Sequence, residues 1–152
     1  MLVRDRAFLN YVFIGLWAFG GRSEELLEPL IPVSSVQVVV SVTTDRETYA
    51  TNDVIELRLE LKNDTNWPLV LEFTTGQRYD FAVLGTQGDT VWSSSAGRNF
   101  MQMLGQEAVQ HGQSLLYSLQ IRPELPPGTF QIVGRIVARE SDLVDSTVIV
   151  VQ

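Results

Sequence analysis

Cysteine is absent, lysine occurs once, at Lys62, and histidine once, at His111. Without cysteine there is no disulfide, no thiolate nucleophile, no Cys-based zinc site and no residue to carry a lipoprotein anchor. Basic runs are missing too. The net charge of -7 and a pI near 4.6 argue against a nucleic-acid binder, whose surface clusters Lys and Arg. The same acidity disfavours unaided attachment to an anionic membrane surface.

Residues able to do chemistry are equally scarce. His111 precedes Gly112 in a turn pattern, where a solvated role is expected, and no Gly-x-Ser-x-Gly nucleophile motif accompanies it. The run Ser93-Ser94-Ser95 reads as a polar turn. Asp and Glu are scattered over outward strand positions and turns; Asp45, Asp53, Asp64 and Asp89 lack the spacing of a calcium loop. No phosphate-cradling glycine loop is present. The sequence therefore points away from an enzyme, with no catalytic residues, no metal and no cofactor expected.

The longest apolar run covers residues 7–19, thirteen positions interrupted only by Asn10. As a helix it rises about 20 Å, short of a hydrocarbon core of about 30 Å. Arg4 and Arg6 precede it and Ala18-Phe19-Gly20 follows, the layout of a secretory signal. Residues 1–20 are thus expected to be a signal or hydrophobic anchor segment rather than a stable transmembrane span. The chain would then be exported, periplasmic or extracytoplasmic; the alternative is a cytoplasmic protein in which the segment packs on the domain or reflects a misplaced start. Residues 21–35 read as a linker, with Glu24, Glu25 and Glu28 before Pro29 and Pro32.

From residue 36 to 152 the period changes to two. Val36, Val38, Val40 and Val42 share one face, as do Ile55, Leu57, Leu59 and Leu61, with Glu56, Arg58, Glu60 and Lys62 opposite. Further strands are expected at Leu69, Leu71 and Phe73, at Tyr79, Phe81 and Val83, at Val91 and Trp92, at Leu115 through Ile121, at Phe130 through Ile136, and from Thr147 to Val151. Residues 99–107 read as a helical turn or irregular loop. Phe73, Phe81, Phe130 and Tyr117 fall on inward phases and are expected in the core. Trp92 is ambiguous, because its indole N–H needs a partner, and Trp67 is expected to be partly exposed. Turn signals every eight to fifteen residues between these strands predict an all-β, immunoglobulin-like antiparallel β-sandwich of about seven to nine strands.

One stretch, residues 73–100, says more than fold class. It holds Phe73-x-x-Gly-Gln77-Arg78-Tyr79-Asp80-Phe81, a Gly-x-x-Val-Trp92 step, and Gly97-Arg98-x-Phe100 followed by Gln102. Together with Pro126-Pro127-Gly128-Thr129-Phe130 and an upstream Leu-Lys-Asn-Asp-Thr, it resembles the BsuPI family of intracellular proteinase inhibitors over roughly residues 38–134. The resemblance implies an immunoglobulin-like sandwich, a protein partner, and inhibition of a serine proteinase of the subtilisin type. Residues 93–104 are the expected contact loop, with Phe100, Met101, Met103 or Leu104 suited to a subtilisin-like pocket and Arg98 to a trypsin-like one. A structural role competes for two of them, Phe100 packing under the loop and Arg98 bonding turn carbonyls. Gln77, Arg78, Tyr79, Asp80, Phe81, Trp92 and Gly97 are expected to be signature residues with structural roles. A non-inhibitory cell-envelope interaction module of the same fold is the alternative. Oligomeric state is not specified by any of these features.

Overall fold

The computed structural model describes residues 37–139 and 143–152. The expected signal and linker, residues 1–35, lie outside the described residues, as does the inward position assigned to Val36. Every regular element that is described is a strand.

Ten strands follow in chain order: β1 Val38–Thr44, β2 Thr48–Tyr49, β3 Ile55–Asn63, β4 Leu69–Thr75, β5 Tyr79–Leu84, β6 Thr90–Ser93, β7 Gln102–Val109, β8 Ser114–Ile121, β9 Gly128–Ile136 and β10 Leu143–Val151. They form a three-stranded sheet ordered β1-β3-β8, a five-stranded sheet ordered β2-β10-β9-β5-β6, and a β4-β7 pair. All pairings are antiparallel except β10 with β2, where Val150 and Val151 run parallel to Thr48 and Tyr49.

The inner faces follow the period-two pattern. Leu57, Leu59 and Leu61 of β3 are fully buried, and so are Phe81 and Val83 of β5 and Ile132 of β9. Each such side chain contributes about 1.5–3 kcal/mol relative to leaving it in water. The two larger sheets meet at Gly134. A Cβ there would lie 2.6 Å from Val42, 3.1 Å from Phe81 and 3.3 Å from Leu59, so glycine lets one strand of each sheet approach the other. A second tie crosses the sandwich, since the Val42 N–H of β1 donates to the Asp145 carboxylate of β10 at 2.8 Å. This sandwich is the architecture expected from the sequence, with the two-residue β2 and the strand β7 added.

β7 corrects the expectation for residues 99–107. Its inward positions carry Gly105, Glu107 and Val109, and its outward ones Met103, Leu104, Gln106 and Ala108 include large exposed apolar groups. Alternation of apolar and polar types is therefore invisible there. The strand forms because its backbone pairs with β4, Leu69 opposite Val109 through Phe73 opposite Gly105, with a bulge before Thr75 meets Gln102.

Candidate functional site

The signature residues gather around the start of β5 and the connection from β6 to β7, residues 94–101. Asp80 holds this loop from beneath. Its carboxylate accepts from Ser94 Oγ at 2.5 Å and Ser95 Oγ at 3.0 Å, while the Phe81 N–H donates to Ser94 Oγ at 2.9 Å. The Ser94 N–H adds a bond to the Phe81 carbonyl at 2.8 Å. Gly97, at φ +70°, turns the chain between them. At the far end the Gly76 N–H donates to the Met101 carbonyl at 2.9 Å. The polar turn expected at the three serines is thus a lock between loop and strand.

Arg78 organises the other side. Its guanidinium donates to Glu107 at 3.2 Å and to the Thr75 carbonyl at 2.7 Å, and it lies 4.4 Å above the Phe73 ring. Tyr117 donates to the second Glu107 oxygen at 3.0 Å, and its ring stacks on Tyr79 at 4.7 Å. Burial, and then the hydrogen bond to that carboxylate, push the Tyr117 phenol above its ordinary value. Tyr79 also meets Phe81 edge-on at 5.6 Å. Gln77 donates to the Tyr79 carbonyl, and Phe81 is fully buried. Trp92, opposite Val83, is half-buried against the core.

The contact residues expected from the sequence divide into two groups. Arg98 and Phe100 stand in the loop, and both line a small cleft of about 180 Å³ whose other walls include Gln77, Tyr79, Tyr117 and Leu119. Phe100 is half-buried in it; Arg98 is exposed and its guanidinium bonds no turn carbonyl, only its N–H reaching the Ser95 carbonyl at 3.1 Å. Met101 ends the loop, whereas Met103 and Leu104 belong to β7 rather than to the loop in which they were expected. These three are 76%, 50% and 84% exposed. Leu104 also borders an open groove of about 420 Å³ over β4 and β7, with Glu72, Thr74, Gln106 and Arg139.

Sequence reasoning assigned Tyr117 to the core and Leu119 to the same alternating strand, yet both line the cleft. The available signal was the phenol of Tyr117, which on an inward phase must find a hydrogen-bond partner. His111 is exposed, as expected for a turn, and its Nδ1 lies 2.7 Å from the Thr65 carbonyl. Among the described residues no three His, Asp or Glu side chains cluster to hold a metal ion, and no helix is long and apolar enough to cross a membrane.

The strand order and the two facing sheets place the domain in the all-β, immunoglobulin-like sandwich class. The chain belongs to the BsuPI family, described as intracellular proteinase inhibitor, whose model matches residues 42–141 and so includes every signature residue above. That description agrees with the cytoplasmic alternative and not with export. No curated protein matches the chain by sequence. Among solved structures, the sporulation control protein Spo0M from Bacillus subtilis is 10% identical, with a TM-score of 0.54 over 76% of this chain and 49% of that one. The chain thus spans about half the length of that protein, and the likeness is one of fold. A CARDB domain from Pyrococcus furiosus, solved with di-metal ions, is 11% identical with a TM-score of 0.44, covering 76% of this chain and 92% of that domain.

Proposed function

We propose that this chain is a proteinase-inhibitor domain that blocks a serine proteinase of the subtilisin type with residues 94–101 and the adjoining start of β7. The observation that carries the reading is the exposure of Met101, Met103 and Leu104 beside a loop fixed at both ends. Large apolar side chains in water on an ordered backbone have the form of an interface anchor, since a pre-ordered loop loses little entropy on docking. A proteinase–inhibitor interface takes about 800 Å² per partner, a size that one or two ordered loops can meet. An apolar specificity pocket, as in subtilisin-type enzymes, suits methionine and leucine better than it suits Arg98.

The test is titration of the purified full chain against a subtilisin-type proteinase. Loss of peptidase activity at micromolar protein, with the chain recovered intact, is the expected result. Undiminished activity at that concentration removes the reading.

A further inference from the structure

The cleft behind the loop has a composition that proteinase inhibition does not require. It is lined by the stacked pair Tyr79 and Tyr117 with Phe100 and Leu119, and its polar lining residues are Gln77, Arg78, Ser94 and Arg98. At about 180 Å³ it is smaller than the roughly 300–1,000 Å³ of pockets that take cofactors and drug-sized ligands. Its capacity is that of one apolar side chain, the kind of pocket that receives an anchor residue.

Charge selects what accompanies that side chain. The two carboxylates bonded to residues of the cleft's lining are already engaged, Asp80 by Ser94 and Ser95, and Glu107 by Arg78 and Tyr117. Arg78 is likewise committed, to Glu107 and the Thr75 carbonyl. Arg98 has no hydrogen-bond or ion-pair partner for its guanidinium among the described residues. A planar cation left free in the lining of an aromatic pocket is complementary to a carboxylate, which it can hold through two parallel N–H···O bonds.

We propose that this cleft binds the carboxyl-terminal residue of a peptide, with an apolar or aromatic last side chain against Tyr79, Tyr117 and Phe100 and the α-carboxylate on Arg98. The arrangement is a chain-end capture site. Peptides ending in a large apolar residue are what a proteinase of subtilisin-type preference releases, so the site takes the chemical class of that enzyme's products. It shares Arg98 and Phe100 with the loop of the proposed inhibitory surface, but its ligand is a free chain end and no proteinase is needed for it to bind.

The probe is N-acetyl-Ala-Ala-Phe with a free carboxylate, compared with the same peptide as its carboxamide and with N-acetyl-Ala-Ala-Ala as the free acid. Binding to the full chain is followed by amide chemical shifts in NMR, with no enzyme in the sample. The expected result is saturable binding of the phenylalanine acid, with shifts at residues 77–79, 98–100 and 117–119. The carboxamide and the alanine acid should each bind about tenfold more weakly or worse. Arg98→Gln should erase the preference for acid over amide while leaving the preference for phenylalanine over alanine, and Phe100→Ala should do the reverse. Equal binding of acid and amide, shifts confined to other surfaces, or no binding at millimolar peptide to a folded chain would each overturn the proposal. The inhibition titration is a separate measurement, so either idea can fail alone.

Discussion

Arg78 occupies the space that a side chain at position 105 would need. Its Nη2 lies 2.6 Å from where a Cβ on Gly105 would stand, and its Nε holds Glu107, the next inward residue of β7, at 3.2 Å. The β4–β7 pair is therefore closed on its inner side by a cation from the start of β5, where a sheet face ordinarily carries apolar side chains. Phe73 below the guanidinium, 1% exposed, supplies the apolar floor. The arginine of the family signature is in this way a structural element that also sets the position of the strand bearing Met103 and Leu104.

Gly105→Ala should destabilise the domain by about 1–3 kcal/mol, because Arg78 is pinned at three points and cannot swing away without loss. In an Arg78→Ala background the same change should be neutral or slightly stabilising, since glycine in a strand is otherwise a cost. The pair should thus show a coupling of about 1 kcal/mol or more in urea melts of the two single variants and the double variant. Additive effects would show that Arg78 yields freely.

Legibility in the sequence followed how far each strand keeps its own apolar alternation. β3, β8 and β9 largely do so, departing from it only at inward Asn63 and at outward Leu116 and Val133, and their inward apolar residues match those read from the pattern. β7 does not, because Gly105 and Glu107 answer to a residue 27 and 29 positions away. β2 is two residues long, and only Tyr49 faces in. The lock between Asp80 and the serine turn spans 14 and 15 positions, so residue types alone could not show it. Asn63 opens the polar run Asn63-Asp64-Thr65-Asn66, whose residue types are those of an exposed turn, yet it is fully buried.

That burial carries a measurable consequence. Asn63 Nδ2 donates to the carbonyls of Trp67 and Val109, both at 2.8 Å, and its Oδ1 accepts from the Thr65 N–H and hydroxyl. Asn63→Ala removes the buried donor to the Val109 carbonyl and one of two donors to the Trp67 carbonyl, which the Thr65 hydroxyl also reaches, where β3, β4 and β7 converge. A loss of about 2–4 kcal/mol in thermal or urea unfolding is expected. Asn63→Asp should be at least as harmful at neutral pH, since it sets a carboxylate against two carbonyl oxygens. A loss within about 0.5 kcal/mol, the range of ordinary surface changes, would contradict this account.

Acid sensitivity should have one identifiable contributor at the β1–β2 connection. Burial raises the pKa of Asp45, but hydrogen bonds from the Glu56 N–H, the Tyr49 hydroxyl and the Arg46 guanidinium outweigh it and bring the value from 3.8 down to about 2. Because the folded value is the lower one, the unfolded chain takes up this proton first. The associated stability is present above about pH 4 and is lost as the pH falls towards about 2. Stability curves of the wild type and Asp45→Asn should therefore converge between pH 4 and pH 2. Curves that stay parallel over that interval would assign the acid loss to other carboxylates.

Two variants separate the order of the inhibitory loop from its contacts. Leu104→Asp changes a side chain that is 84% exposed, so unfolding stability should move by no more than about 0.5 kcal/mol. If Leu104 is buried against the proteinase, its loss removes about 1.5–3 kcal/mol, a weakening of inhibition of about tenfold to a hundredfold. Asp80→Ala acts in the opposite order. It removes the acceptor of Ser94 and Ser95 beneath the loop, lowering stability by about 1–3 kcal/mol and raising amide exchange over residues 94–101. Inhibition should also weaken, although Asp80 lies outside the proposed contact, because the loop must then be ordered at the moment of docking. Unchanged inhibition by both variants, with the exchange change present in Asp80→Ala, would move the binding surface elsewhere on the sandwich.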